Sequence, residues 1–175
     1  MRCLVVYSSR TGNTKMVAEA IIASMPEGTV LTPVEEAPAP DGFDLVCLGF
    51  WVDKGGPDAN MASYMESVHG KLVGLFGTLG AWPDSDHARD CMAKARAMLP
   101  DNTVLDTFLC QGKVDPKLLA AMEKMREAQS AHPMTEERKA RIEEAKKHPD
   151  AVDCANAQAC FAALAQQAGE RICAR

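Results

Sequence analysis

Six consecutive residues, Ser9-Arg10-Thr11-Gly12-Asn13-Thr14, bring together three hydroxyls, a guanidinium, an amide and a glycine. They stand between an apolar run, Cys3–Tyr7, and a stretch whose apolar residues recur at helical spacing from Val17 to Met25. The first N–H groups of a helix have no partner within it, and the helix dipole is positive at that end. A turn of this kind is an anion site. Gly12 lets backbone approach a ligand closely, while Ser9, Thr11, Asn13 and Thr14 add neutral donors. The dinucleotide pattern GxGxxG and the P-loop pattern GxxxxGK(S/T) are both absent. Hydroxyls in place of a lysine point to one terminal phosphate held by hydrogen bonds.

The motif Ser9 to Thr14 resembles the (S/T)-x-T-G-x-T phosphate loop of flavodoxins, which holds the 5′-phosphate of FMN, and it sits in the matching place. The resemblance runs over about residues 2–128. It implies a ring site between two later loops, and the chain's two tryptophans fall in them. Trp51 lies in GFWVDKGGPD, where Phe50, Trp51, Val52, Asp53, Lys54 and Gly55 are the expected contacts. Trp82 lies in GTLGAWPD, where Thr78, Leu79, Gly80, Ala81 and Trp82 are expected. The resemblance implies a flexible peptide at Gly55-Gly56 beside the flavin N5. Lys54 would favour the reduced anion and Asp53 oppose it, and Gln111-Gly112 would reach the ring edge. Two departures stand out: no glycine directly follows Trp51, and the second loop lacks the family's acidic-serine-tyrosine run.

The elements that must position these residues alternate. Apolar runs at Cys3–Tyr7, Thr29–Pro33, Phe43–Phe50, Lys71–Gly77 and Asn102–Cys110 read as five strands. Helical patterns at Asn13–Met25, Ala59–Val68 and Ser85–Leu99 separate most of them. A Pro-rich connection and a Gly-rich loop flank the third strand. Strands in this alternation form a parallel sheet with helices on both faces. The resemblance implies the flavodoxin-like, doubly wound strand order 2-1-3-4-5. Asp115-Pro116 opens a helix to about Gln129, His132-Pro133 breaks it, and Thr135–Lys147 is a charged helix with Glu137/Arg141 and Glu143/Lys147 at i,i+4. After His148-Pro149, Asp150 caps a last helix to about Ala168, with Cys154, Ala157, Phe161, Leu164, Ala165 and Ala168 in one stripe. We expect one domain over 1–175: a core over 1–130, and a helical extension over 131–175 resembling that of a bacterial flavodoxin-like subgroup.

Composition narrows the function. Of 175 residues, 47% are hydrophobic and 25% charged, an ordinary globular balance. A net charge of −5 argues against nucleic acid as partner. No apolar segment approaches a membrane span, and the N-terminus enters a strand directly, so a cytoplasmic protein without membrane contact is expected. The seven cysteines contain no CxxC pair; Cys3, Cys47 and Cys110, in apolar runs, read as core residues, and no disulfide or zinc framework is expected. No histidine or carboxylate set suggests a metal, and no residue is assigned as acid or base. Asp53, Asp58, Asp84 and Asp86 gather around the two ring loops, where an acidic rim would steer a basic partner. The resemblance implies an FMN-binding electron carrier between two redox partner proteins, a reductase and an acceptor oxidoreductase. Two alternatives share the fold: an NAD(P)H-dependent quinone or flavin reductase, and an accessory subunit of a dedicated reductase, as in some anaerobic gut bacteria.

Overall fold

The computed structural model describes residues 1–128 and 135–174. Six strands form in chain order: β1 (Cys3–Tyr7), β2 (Val30–Pro33), β3 (Leu45–Asp53), β4 (Gly56–Pro57), β5 (Leu72–Leu79) and β6 (Thr103–Gln111). The helices are α1 (Asn13–Ile22), α2 (Ala59–Met65), α3 (Asp86–Ala97), α4 (Pro116–Ala128), α5 (Glu136–Ala145) and α6 (Ala151–Cys173). The sheet runs β2-β1-β3-β5-β6, with β4 hanging off β3. Setting that short strand aside, this is the expected 2-1-3-4-5 order, and every pair on the main path is parallel.

Alternation along the central strands divides the core in two. Cys3, Val5, Cys47, Leu72 and Phe76 face α1 and α6, while Leu4, Val6, Leu48, Phe50 and Leu75 face α2 and α3. Strands covered on both faces read as continuous apolar runs, which is why β1, β3 and β5 were visible in the sequence. Cys3, Cys47 and Cys110 are buried and all seven cysteines are free. Burial pushes the Cys47 and Cys110 thiols far up, so they behave as small core side chains.

Helix α6 presents Ala157, Phe161, Leu164, Ala165 and Ala168 to the first core, all buried. It packs on α1 and on the sheet. Its approach depends on Gly74, where a Cβ would lie 2.7 Å from Leu164 Cδ1 and 2.8 Å from Phe161 Cε1. The helix opens on a capping box: Asp150 accepts from the Val152 and Asp153 N–H groups, and Asp153 accepts from the Asp150 N–H.

His148, just before this cap, joins three elements. Its Nδ1 lies 2.5 Å from Asp153 Oδ2, and its carbonyl accepts the Lys113 N–H at 3.0 Å. Glu144 Oε1 on α5 lies 3.5 Å from Nε2. The Asp153 hydrogen bond raises the His148 pKa above its usual 6.5 against the opposing effect of burial, helped by the charges of Asp153 and Asp150 and by the Glu144 hydrogen bond. A raised folded pKa stabilises fully below the unfolded value and is lost as pH rises through the folded one. The stability gap between the native chain and His148→Gln should therefore narrow from mildly acidic to alkaline pH, measured as thermal midpoints. A gap constant with pH would show that the imidazolium contributes nothing.

Several boundaries differ from expectation. The third strand does not stop at Phe50. It continues through Trp51, Val52 and Asp53 and folds back as β4, pairing Val52 with Pro57 and Asp53 with Gly56. Lys54 (φ 48°) and Gly55 (φ 82°) both turn left-handed, the conformation of a two-residue hairpin. The expected Gly-rich loop is thus a hairpin. The next strand likewise takes in Thr78 and Leu79, and the last runs to Gln111. Helices α1 and α2 end earlier, at Ile22 and Met65, and α6 runs past Ala168 to Cys173. At the end of α5, Glu143 pairs with Lys146 and Glu144 with Lys147 just beyond it, at i,i+3. The expected break at His132-Pro133 lies outside the described residues.

Candidate functional site

The first turn after β1 is anchored at its base. Ser8 is buried and its N–H donates to the Gly49 carbonyl at 2.8 Å. Gly12 then caps α1 at φ 89°, with no side-chain cap. A Cβ built on Gly12 would meet nothing within 4 Å, so the concavity is open. The Lys15 N–H donates to Ser9 Oγ at 3.2 Å. Thr14 is turned inward, fully buried, with its Oγ1 3.0 Å from Thr78 Oγ1. Thr11 is exposed at the rim. A helix start whose N-cap is a glycine, with the Lys15 N–H taken by Ser9 and the turn otherwise open, fits an anion.

The turn opens onto a cavity of about 270 Å³. Arg10, Thr11 and Asn13 line it from the first turn, and Trp51, Val52, Asp53 and Lys54 from the end of β3. Thr78, Leu79 and Gly80 line it from the end of β5. These ten of the expected residues are thus brought together at the carboxyl ends of the strands, where ligands bind in such sheets. The others sit elsewhere. Ser9 faces a second cavity, of about 340 Å³, which it lines with Ser8, Glu35, Trp51, Asp58 and Asn60. Phe50 is fully buried in the core against α2 and α3. Gly55 lies in the hairpin turn, where a Cβ would be 3.2 Å from Lys94 Nζ and 3.7 Å from His87 Cε1. Ala81 and Trp82 are half-buried after β5 and line neither cavity.

A fourth segment completes the wall and was missed beyond its first residue. Gly112, Lys113, Val114, Asp115 and Leu118 connect β6 to α4 along the cavity's far side. Two contacts fasten it to the first turn. Asn13 Nδ2 donates to the Lys113 carbonyl at 2.9 Å, and Arg10 Nε to Asp115 Oδ2 at 3.0 Å. The Arg10 guanidinium also lies 5.4 Å from the centroid of the Trp51 ring, a cation–π stack. Arg10, Trp51 and Asp53 line both cavities and form the partition between them. The only sequence signal for this segment was its helix cap: Asp115 Oδ1 accepts the Lys117 N–H at 2.8 Å.

The expected acidic rim needs correction. Asp58 is 3% exposed and caps α2, accepting from the Ser8 hydroxyl at 2.7 Å and the Met61 N–H at 3.4 Å. Asp86 is paired with Arg89. Asp86 stays 93% exposed beside its partner, so Asp53, Asp84 and Asp86 remain for the surface role and only Asp58 is withdrawn.

Comparison with known proteins bears out the fold. The flavodoxin-domain family model matches residues 4–162, extending into α6. The flavodoxin-like domain-containing protein BilS of Clostridioides difficile is 35% identical over 155 residues, spanning 86% of this chain and 88% of that protein. BilS of Clostridium symbiosum is 30% identical over 177 residues, spanning 89% and 91%. Among solved structures, oxidised flavodoxin 2 from Bacillus cereus superposes with a TM-score of 0.60 at 16% identity, covering 95% of this chain and 99% of that one. A Lactobacillus acidophilus flavoprotein in complex with FMN gives 0.51 at 14% identity, covering 62% and 92%.

Proposed function

From the premise that the chain belongs to the flavodoxin family, we propose that it binds one FMN and carries electrons between redox partner proteins in the cytoplasm. The observation that carries this reading is the open glycine turn facing a cavity walled by Trp51. The turn from Ser9 to Thr14 would hold the phosphate through backbone N–H groups and the Thr11 hydroxyl. Trp51, Leu79 and Gly80 would flank the ring and exclude water from it. Bound FMN supplies one- and two-electron transfer, and the surrounding side chains set its potential. Among the described residues no helix is long and apolar enough to cross a membrane.

The purified protein should be yellow, or turn yellow with micromolar FMN. A folded chain that takes up no FMN under these conditions overturns the reading. Anaerobic NADPH separates the carrier from a reductase of the same fold: a carrier stays yellow without an added reductase, and rapid bleaching would make it the enzyme.

Single donors in the turn should differ. Thr11→Ala should weaken FMN binding by about 1–3 kcal/mol, the usual loss for a donor to a charged group. The Arg10 charge is already committed to Asp115 and its side chain is 46% exposed. An ion pair of that exposure contributes about 0–1 kcal/mol, so Arg10→Ala should cost less than Thr11→Ala. Titration with FMN of the two variants checks the order, and the reverse order would mean that the arginine side chain holds the phosphate.

A further inference from the structure

Asp58 has surroundings that its role as a helix cap does not account for. It sits at the carboxyl end of the sheet, beneath the first turn and beside the last residues of β3. Its Oδ1 takes the Ser8 hydroxyl and the Met61 N–H, at 2.7 and 3.4 Å. The N–H groups of Asn60 and Trp51 also face the carboxyl. Its Oδ2 is buried and makes no hydrogen bond of normal length. No cation pairs with it among the described residues: the nearby Arg10 is held by Asp115 instead. The other charged groups around the adjoining cavity, Glu35 and Asp53, are also acidic. Burial raises the Asp58 pKa, and the hydrogen bonds from Ser8, Met61, Asn60 and Trp51 only partly offset it.

A helix cap needs only an acceptor oxygen, and asparagine caps as well as aspartate does. A carboxylate with no counter-ion is the more expensive choice when buried. It lies under the turn that would hold a phosphate, joined to it through Ser8. Two anions this close disfavour each other's charge, which favours protonation of the buried one. Resting on the FMN reading above, we propose that Asp58 takes up a proton as the phosphate settles in the turn, so that FMN binding strengthens as the pH falls. Asp58 is thereby a positioning residue with a second property: it fixes Ser8 and the Trp51 backbone, and it makes their occupancy proton-linked.

The sign follows from linkage. If the bound anion raises the Asp58 pKa above its value in the free protein, binding takes up protons. The association constant then rises as pH falls between the two values, by about tenfold for each unit separating them. The second ionisation of free FMN, near pH 6, is common to every variant. The ratio of native to variant affinity removes it.

The test measures FMN dissociation constants by flavin fluorescence from about pH 5 to about pH 8, a span holding the carboxyl range and the phosphate step, for the native chain and Asp58→Asn. Asparagine keeps an acceptor for Ser8 and Met61, so a purely structural role predicts parallel pH profiles. The proposal predicts divergence, with the native chain gaining affinity toward acid relative to Asp58→Asn. Parallel profiles with FMN still bound overturn the proposal and leave the cofactor reading intact. No FMN binding by the folded native chain overturns both. Should Asp58→Asn fail to fold, the carbon resonance of the native Asp58 carboxyl is titrated with and without FMN: a higher midpoint with FMN supports the proton uptake, and equal midpoints overturn it.

Discussion

Phe161→Ala should lower the free energy of unfolding by about 3–5 kcal/mol, the loss typical of deleting a fully buried aromatic ring. Phe161 has no exposed surface, and its ring meets Phe76 edge-on at 5.6 Å and 86°. Sequence alone placed this residue in an extension of the core. The structure places it inside the core, over the one central-strand glycine that admits it. Gly74→Ala makes the same argument from the other side, because a Cβ there would press on both Phe161 and Leu164 and overpacking of this kind costs about 1–3 kcal/mol. Urea unfolding of the native chain and Phe161→Ala measures the effect. A loss below about 1 kcal/mol, the scale of an exposed substitution, would mean that α6 is an appendage the rest of the fold does not need. If the full loss appears in a single transition, the chain from β1 to α6 unfolds as one cooperative domain.

The fold was legible where local chemistry and global packing agree. The central strands β1, β3 and β5 carry apolar runs, Ser85 accepts the Ala88 N–H as the cap of α3, and Asp150 opens α6 as its position before an apolar stripe suggests. What the sequence hid was decided across the chain. Trp51 was recognisable as a candidate wall of the site, but its place at the end of β3 follows from a hairpin whose first turn residue is Lys54 at φ 48°. Asparagine, aspartate or glycine usually marks that position, and lysine gives no signal. Asp58 was read as surface charge because nothing nearby in sequence shows that Ser8, 50 residues earlier, closes over it. The segment from Lys113 to Leu118 was missed for the same reason: Arg10 and Asp115 meet 105 residues apart. Both errors concern groups whose environment is made by another strand's end. The carboxyl ends of a parallel sheet gather such groups from distant parts of the chain.

The two tryptophans give the sharpest test of how the site is assembled. Both fall in segments where the family resemblance expects ring contacts, yet of the two only Trp51 lines either of these cavities. Stacking of a flat heteroaromatic ring on an aromatic side chain is worth about 1–3 kcal/mol by alanine substitution. Trp51→Ala also removes the surface on which the Arg10 guanidinium rests, and with it the partition between the two cavities. FMN affinity should therefore fall at the upper end of that range, about 100-fold, since each 1.4 kcal/mol is tenfold. Trp82→Ala should change it by less than about threefold, the loss expected of a residue outside the cavity. Titration of both variants with FMN, with folding checked by circular dichroism, decides between the arrangements. Equal large losses would bring the loop after β5 over the ring, as the resemblance implies, and require Trp82 to swing inward on binding. A loss confined to Trp82→Ala would place the ring away from the end of β3 and remove the basis for reading this cavity as the flavin site. The expected asymmetry would instead leave the hairpin of β3 and β4 as one wall and Leu79 and Gly80 as the other. The ring would then be gripped by one aromatic face rather than two, and Arg10, tethered to Asp115, would be the group that yields Trp51 to it.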